Sequence, residues 1–460
     1  MIQQSRKRVY VETYGCQMNI SDGELMEGVL EAHGYEISAD PEEADVILVN
    51  TCAIREHAEK RVLGRVSQLC GLKRDRPDLI IGVTGCMAQR MGETLLEKAP
   101  RVDLVMGPDG YRSLPEQLAA LVEGRKIRPS RSAKRRGPRL AVLDLNLGEN
   151  YEGLDQRRSS RVSAWVPVQR GCDHRCTFCI VPYVRGPEKN RSPGEVLREI
   201  EEIADSAVTE VTLLGQTVNS YEAEGQSFPD LLRSVARVPG IRRVRFMSPH
   251  PNDVTADLLD VMAEETAVCE QLHLPLQAGS DRTLRRMLRR YTVEAFFEKV
   301  ELARTVIHDI GLSTDVIVAF PGETQDEFEE TLEVMRTIRF DDAYTYRFSL
   351  REGTPATRFP PADFVSDGEG QERLQRLIEV HRGIQAEINE TEVGRVETVL
   401  VEKEARDPGQ ILGRTRRNKV VAFAASPELV GTYQEVRLTH TTGATFVGEL
   451  TATPALTGPA

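Results

Sequence analysis

No stretch of about 18 apolar residues occurs in this 460-residue chain, which argues against a transmembrane helix. Met1 to Lys7 is polar and leads directly into a strand-like segment, so no secretory signal is visible. The expected setting is cytoplasmic, where the eight cysteines are reduced or metal-bound rather than paired. Internal repeats are also missing. Nor is there a positive overall charge: 59 Lys and Arg against 71 Asp and Glu leave −12, which excludes a protein that coats nucleic acid uniformly. What remains is ordinary for a soluble globular chain, with 40% hydrophobic and 28% charged residues and a length prior of roughly three domains.

Positive charge is present, but locally. Arg125 to Arg139, "RKIRPSRSAKRRGPR", carries eight basic residues and no acid, and Arg157, Arg158 and Arg161 follow. A second cluster, "GRTRRNK", spans Gly413 to Lys419. Both are read as possible footprints for a polyanion, and the first alternatively as a solvated linker.

The expected fold class is α/β, in three parts. "RVYVETY" (8–14), "DVILVN" (45–50), "LIIGVT" (79–84) and "VDLVMG" (102–107) read as buried parallel strands of an N-terminal doubly wound sheet, residues 6–124. Ser21 with Glu24 three residues on predicts a capped helix start, with Leu25, Val29 and Ala32 on one face and Gly34 as the stop. A basic linker is expected over 125–160. Six strand-like runs then begin at Ser163, Glu210, Arg242, Gln271, Ser313 and Ala343 and predict an open, partial (β/α)6 barrel over 161–390. The helix after the first of them is signalled by Ser192, Pro193 and Glu195. A long helix from Ser366 to about Glu392 follows, and "TVLVEK", "KVVAFAA", "TYQEVRL" and "ATFVGEL" predict a small β-barrel over 391–455.

Two sets of three cysteines carry the chemistry. Cys16, Cys52 and Cys86 each fall one or two residues past the end of an N-terminal strand, at the sheet edge where ligands bind in open parallel folds, so they are expected to converge. Cys172, Cys176 and Cys179 in "RGCDHRCTFCIVP" share one tight loop with no fourth cysteine nearby. Structural zinc wants four ligands, usually as paired knuckles. Three thiolates fit a [4Fe-4S] cluster better, with one iron left open.

These residues carry a resemblance. Cys-x3-Cys-x2-Cys after the first strand of a partial barrel resembles the radical SAM superfamily. "TYGCQMNISDGE", "NTCAIREHAEKR", "GCMAQR", "GQTVNSY", "LHLPLQAGSDRTLRRMLRRYT", "DVIVAFPGET" and "GRTRRNKVV" resemble its methylthiotransferase family, over residues 8 to about 450. Within that family they are most similar to the branch that acts on tRNA, making 2-methylthio-N6-isopentenyladenosine.

The resemblance implies two [4Fe-4S] clusters and S-adenosylmethionine. Cys172, Cys176 and Cys179 would hold the cluster that cleaves S-adenosylmethionine. Cys16, Cys52 and Cys86 would hold an auxiliary cluster that carries the sulfur. Cys70 and Cys269 match no motif and read as small buried residues. Phe178, Gln216, Thr217, Gln277, Arg289 and Ile317 would contact S-adenosylmethionine, and no side-chain acid–base pair stands out. Thr217, Ala278 and Ala319 depart from the residues usual at their positions. The terminal barrel resembles a TRAM domain, whose Arg414, Arg416, Arg417 and Lys419 would face tRNA phosphates. The implied partners are tRNA and a reducing electron donor, with no membrane and a monomeric enzyme. Rival readings are the branches that modify threonylcarbamoyl-adenosine in tRNA or a ribosomal-protein aspartate, and, from another class, an iron–sulfur carrier.

Overall fold

The computed structural model describes residues 6–53, 56–127 and 139–451. The basic run from Arg125 lies outside the described residues except for the backbone of 125–127 and for Arg139. Two compact units are present. One is Met1–Ser159 with Gln169–Arg175 and Cys179–Arg191; the other is Ser160–Val168, Cys176–Phe178 and Ser192–Ala460.

The first unit is built on a six-stranded sheet whose neighbouring strands all run parallel. Its order is Glu36–Ile37, Arg8–Tyr14, Val46–Thr51, Ile80–Gly85, Leu104–Met106 and Leu140–Val142. The two central strands from Val46 and Ile80 are buried at every position, as continuous apolar runs require. Both faces are covered. Leu25, Val29 and Leu30 join Leu114, Leu118 and Leu121 on one side, while Val62, Val66, Met87 and Leu95 pack on the other. This is the doubly wound arrangement expected. The edge strand Leu140–Val142 was not expected, because it lies in the stretch read as linker.

The first helix corrects the sequence reading. It runs Gln17–Ala32, with Cys16 at its N-cap, so Ser21 and Glu24 lie inside it and Ala32 is exposed. The cap-like residues are spent on tertiary contacts: Glu24 accepts from the Ser159 backbone N–H and hydroxyl, at 2.9 and 2.6 Å.

The second unit holds six parallel strands in chain order, Ser163–Pro167, Glu210–Leu214, Arg243–Phe246, Gln271–His273, Gly311–Val318 and Asp342–Arg347. A parallel bridge from Val244 to Val268 joins the two three-stranded halves. Alternate residues such as Val211, Leu213, Val244, Phe246, Leu312 and Val316 enter one helix-covered core. The opposite face carries Glu210, Arg245, His273 and Asp315, a polar interior for an open barrel. Ser192 caps the helix Pro193–Asp205 as predicted, accepting from the Glu195 backbone N–H.

The C-terminal strands close a five-stranded barrel around Val399, Val401, Ile411, Val421, Phe423, Val436, Leu438 and Phe446. Four strands were expected. The fifth, Gln410–Arg414, leads into the basic loop.

Candidate iron–sulfur and cofactor sites

The three N-terminal cysteines do converge. Cys16 follows the first strand, Cys52 follows the strand ending at Thr51, and Cys86 opens the helix Cys86–Met91. Glycine makes the approach possible. A Cβ at Gly15 (φ +145°) would lie 2.7 Å from the Cys52 Cβ, and one at Gly85 (φ +91°) would lie 2.5 Å from the Thr51 carbonyl oxygen. Buried amides then tie the strand ends: Asn50 Nδ2 donates to the Asn19 carbonyl at 2.7 Å, and the Thr51 hydroxyl donates to the Thr84 carbonyl at 2.6 Å.

The electrostatics favour thiolate at Cys16. A hydrogen bond with Cys52 brings Cys16 down to about 6, against burial and with help from Arg185. Burial pushes the Cys86 thiol up, and the Arg185 guanidinium opposes it. Arg185 Nε donates to Cys86 Sγ at 3.2 Å and Nη2 to Asp22 at 2.5 Å. The sequence reading missed Arg185. Its only signal was a charge in "YVRG", a motif otherwise apolar and glycine-bearing.

The Cys172 loop is anchored at its start within the first unit. Arg170 is fully buried, with Nη2 2.8 Å from Asp109 and its guanidinium over the Tyr151 ring. The Cys172 N–H donates to the Gly186 carbonyl at 3.1 Å, and a Cβ at Gly171 would strike the Pro187 carbonyl oxygen at 1.9 Å. Lys189, 2.8 Å from the other Asp109 oxygen, completes the anchor.

The centre of the loop belongs to the second unit. The Thr177 N–H and hydroxyl donate to the Met287 and Arg286 carbonyls at 3.0 and 2.9 Å, and the Ala356 N–H donates back to the Thr177 carbonyl at 2.9 Å. Phe178 meets Phe320 edge to face, 6.3 Å between centroids. Arg289 is buried, with Nη1 3.6 Å from Cys176 Sγ and Nε donating to the Tyr291 hydroxyl at 3.0 Å.

Several expected cofactor residues sit on the C-terminal strand edge beside that loop centre. Gln277 has φ +68°, its N–H donates to the Asp315 carbonyl and its carbonyl accepts from the Ile317 N–H. Its buried Oε1 has no hydrogen-bond partner among the described residues. Ile317 packs with Phe178 against Phe320. Ala319 also adopts a left-handed φ of +60°, which explains why glycine would suit that position. Glu323 holds it there, accepting from the Ala319 N–H at 3.0 Å and from Arg373 at 2.7 Å. Gln216 and Thr217 follow the Glu210–Leu214 strand, Thr217 buried.

The expected phosphate-facing residues of the terminal barrel are placed otherwise. Arg417 pairs with Glu392 and Glu397, each at 2.9 Å, and Lys419 with Asp341 at 2.8 Å; both side chains are only 8% exposed. Arg416 forms a fork with Glu270 at 2.7 and 2.8 Å. Arg414 pairs with Glu402 at 3.1 Å and keeps 36% of its side chain exposed. Arg243 and Arg245 donate to the carbonyls of Arg414, Thr415 and Arg416. Glu270, Asp341, Arg243 and Gly311 mark the N-terminal ends of the barrel strands, so this loop seats at the end opposite Gln277 and Ile317. The charges of Arg416, Arg417 and Lys419 are thus taken up by acids of the same unit, and Arg414 is the most exposed of the four.

Comparison with known proteins agrees with these features. Residues 8–107 match the uncharacterized protein family UPF0004, residues 166–335 the Radical SAM superfamily and residues 390–451 the TRAM domain. The radical S-adenosylmethionine methyltransferase TsrM from Kitasatospora setae shares the fold, with a TM-score of 0.57 at 15% identity over 82% of this chain and 89% of that one. A tRNA-2-methylthio-N(6)-dimethylallyladenosine synthase from Thermoanaerobacter sp. (strain X514) is 43% identical over 96% of this chain and 92% of its own length. The same enzyme from Pelobacter propionicus (strain DSM 2379 / NBRC 103807 / OttBd1) is 42% identical over 96% and 98%. The chain is thus a radical SAM protein by its matched domain and its relatives. It belongs to the family of tRNA-2-methylthio-N(6)-dimethylallyladenosine synthases.

Proposed function

We propose that this enzyme methylthiolates C2 of N6-isopentenyladenosine next to the anticodon of tRNA, giving 2-methylthio-N6-isopentenyladenosine. The observation that carries the reading is the convergence of Cys16, Cys52 and Cys86 on one sheet edge, in a chain that also has the Cys172 loop and close relatives of this activity.

The residues fit the groups they would hold. Eight free thiols include two sets of three, and each set has a buried arginine against one of its sulfurs: Arg185 on Cys86 and Arg289 on Cys176. Hydrogen bonds of this kind orient ligand sulfurs and adjust a cluster's potential. When bound, a [4Fe-4S] cluster on Cys172, Cys176 and Cys179 supplies the electron that cleaves S-adenosylmethionine, and a second on Cys16, Cys52 and Cys86 carries the sulfur to be transferred. Phe178, Gln216, Thr217, Gln277, Arg289 and Ile317 would receive S-adenosylmethionine. In this role the Gln277 amide oxygen accepts from a bound N–H, and Ile317 and Phe178 offer apolar surface to the adenine. The functional parts are then 6–124 together with the edge strand Leu140–Val142, 161–390 and 391–455.

Among the described residues no helix is long and apolar enough to cross a membrane. Work on tRNA would place the enzyme in the cytoplasm, as a monomer served by an external one-electron donor.

The test is anaerobic reconstitution with iron, sulfide, S-adenosylmethionine and isopentenylated tRNA, followed by nucleoside mass spectrometry. The 2-methylthio nucleoside should appear. Cys16→Ala should lose it yet still form 5′-deoxyadenosine, whereas Cys176→Ala should lose both. Methylthiolation only of threonylcarbamoyl-adenosine tRNA would overturn the substrate assignment.

A further inference from the structure

We propose that Arg185 is a positioning residue for the auxiliary cluster, donating hydrogen bonds both to the ligand sulfur of Cys86 and to inorganic sulfur of the cluster. The inference rests on the reading of Cys16, Cys52 and Cys86 as a cluster site. It concerns a residue outside all three cysteine positions and about a hundred residues downstream of Cys86 in the chain.

The geometry assigns three jobs to one guanidinium. Nε donates to Cys86 Sγ at 3.2 Å, and Nη2 donates to Asp22. Nη1 is buried and has no hydrogen-bond partner among the described residues. Arg185 is 2% exposed and Asp22 is 1% exposed, so water does not reach the pair freely. An unpaired N–H on a buried guanidinium loses its hydration with nothing in return, so such groups are rare in folded proteins. The acceptors nearest in kind are the sulfurs of this site, since one arm of the same planar fork already touches Cys86.

The surroundings narrow the choice further. Asp22 neutralises the arginine, so the pair as a whole carries no net charge into the site. What the pair does contribute is directed N–H groups. Ala53, Ile180 and Val184 pack with Cys86 in an apolar cluster, which keeps the dielectric low and strengthens each such bond. Donors aimed at cluster sulfur stabilise the reduced form, because reduction adds negative charge to those sulfurs.

The experiment isolates this cluster in the Cys172→Ala/Cys176→Ala/Cys179→Ala protein, reconstituted anaerobically with iron and sulfide. Arg185→Met combined with Asp22→Asn removes the guanidinium donors while leaving no uncompensated charge. Iron content should be retained, and at the parent's midpoint the ratio of reduced to oxidised cluster should fall about tenfold, ~59 mV downward for one electron. An unchanged midpoint in EPR-monitored titration would overturn the proposal. A second measurement needs no change at Arg185: with 15N-arginine incorporated, the reduced cluster of the parent should show a nitrogen coupling by pulsed EPR. Its absence in a protein that binds the cluster overturns the role of Arg185. Failure of the parent itself to bind iron would instead overturn the cluster site.

Discussion

Arg289 lies with Nη1 3.6 Å from Cys176 Sγ, a contact made within one compact unit across more than a hundred residues of chain. Its Nη2 reaches toward the Pro275 carbonyl at 3.4 Å, and Tyr291 donates to the Leu276 carbonyl at 2.8 Å, so the arginine also braces the turn that leads to Gln277. Arg289→Met should leave the iron content of the loop largely intact. Formation of 5′-deoxyadenosine should fall on the order of 10–100-fold, as for other residues that orient metal ligands. Wild-type rates in a fully loaded variant would remove Arg289 from cofactor handling.

Gln277 holds a left-handed backbone that costs a residue with a side chain on the order of 1–3 kcal/mol. Gln277→Gly should therefore raise stability by up to about 1 kcal/mol after glycine's own entropy is counted. Binding of S-adenosylmethionine should weaken, because the amide oxygen is gone. Thermal unfolding and equilibrium dialysis on the same sample check the two opposite signs. A variant that gains stability and binds normally would show the strain to be unrelated to the cofactor.

Glu323 and Arg373 are both buried and form a 2.7 Å pair that fixes the Ala319 turn. Burial pushes the Glu323 carboxyl up, while the Ala319 N–H and Arg373 work to keep it ionised. Glu323→Ala leaves Arg373 only its half-exposed partner Glu369, so the loss should fall below the about 3–5 kcal/mol of a buried charge left wholly unpaired. Chemical denaturation reads it directly.

Arg417→Ala should behave as a core lesion rather than as a binding lesion. Losing the ties to Glu392 and Glu397 should cost about 3–5 kcal/mol. The slope of tRNA affinity against salt should be unchanged, whereas a cation that neutralised one phosphate would change it by about one unit on its removal. A reduced slope at unchanged stability would restore Arg417 to the RNA surface.

Cys16, held at about 6 by its hydrogen bond with Cys52, should react as a thiolate well below the ordinary thiol range near 8.5. In metal-free protein its alkylation rate should rise as pH passes through about 6 and then level off. Removing the Cys52 partner by Cys52→Ala should move that rise upward. Because the folded value lies below the unfolded one, the bond's contribution to stability grows from about pH 6 to about 8.5 and is lost as pH falls through 6. Mass-spectrometric footprinting across pH 5–9 gives the midpoint.

The sheets were legible because "VILVNT" and "IIGVTG" are continuous apolar runs that suit only a doubly covered parallel strand. The convergence of Cys16, Cys52 and Cys86 was legible for the same reason, since parallel strands bring their C-terminal ends to one edge. Pairing was not. Ser21 and Glu24 imitate a cap but serve contacts some 130 residues away, and the acids that take up Arg416, Arg417 and Lys419 lie up to 146 residues off. Charge clustering in a sequence tells how many cations are near one another, not whether acids from elsewhere have already claimed them.

The seating of Arg417 against Gly311, at the foot of the strand Gly311–Val318, fixes a length. Eight residues at ~3.3 Å each put roughly 25 Å between that foot and the strand's upper end. The ion pairs hold the small barrel there, so the sheet acts as a spacer rather than a hinge. A nucleic acid held on the small barrel would reach the upper edge only by spanning that distance.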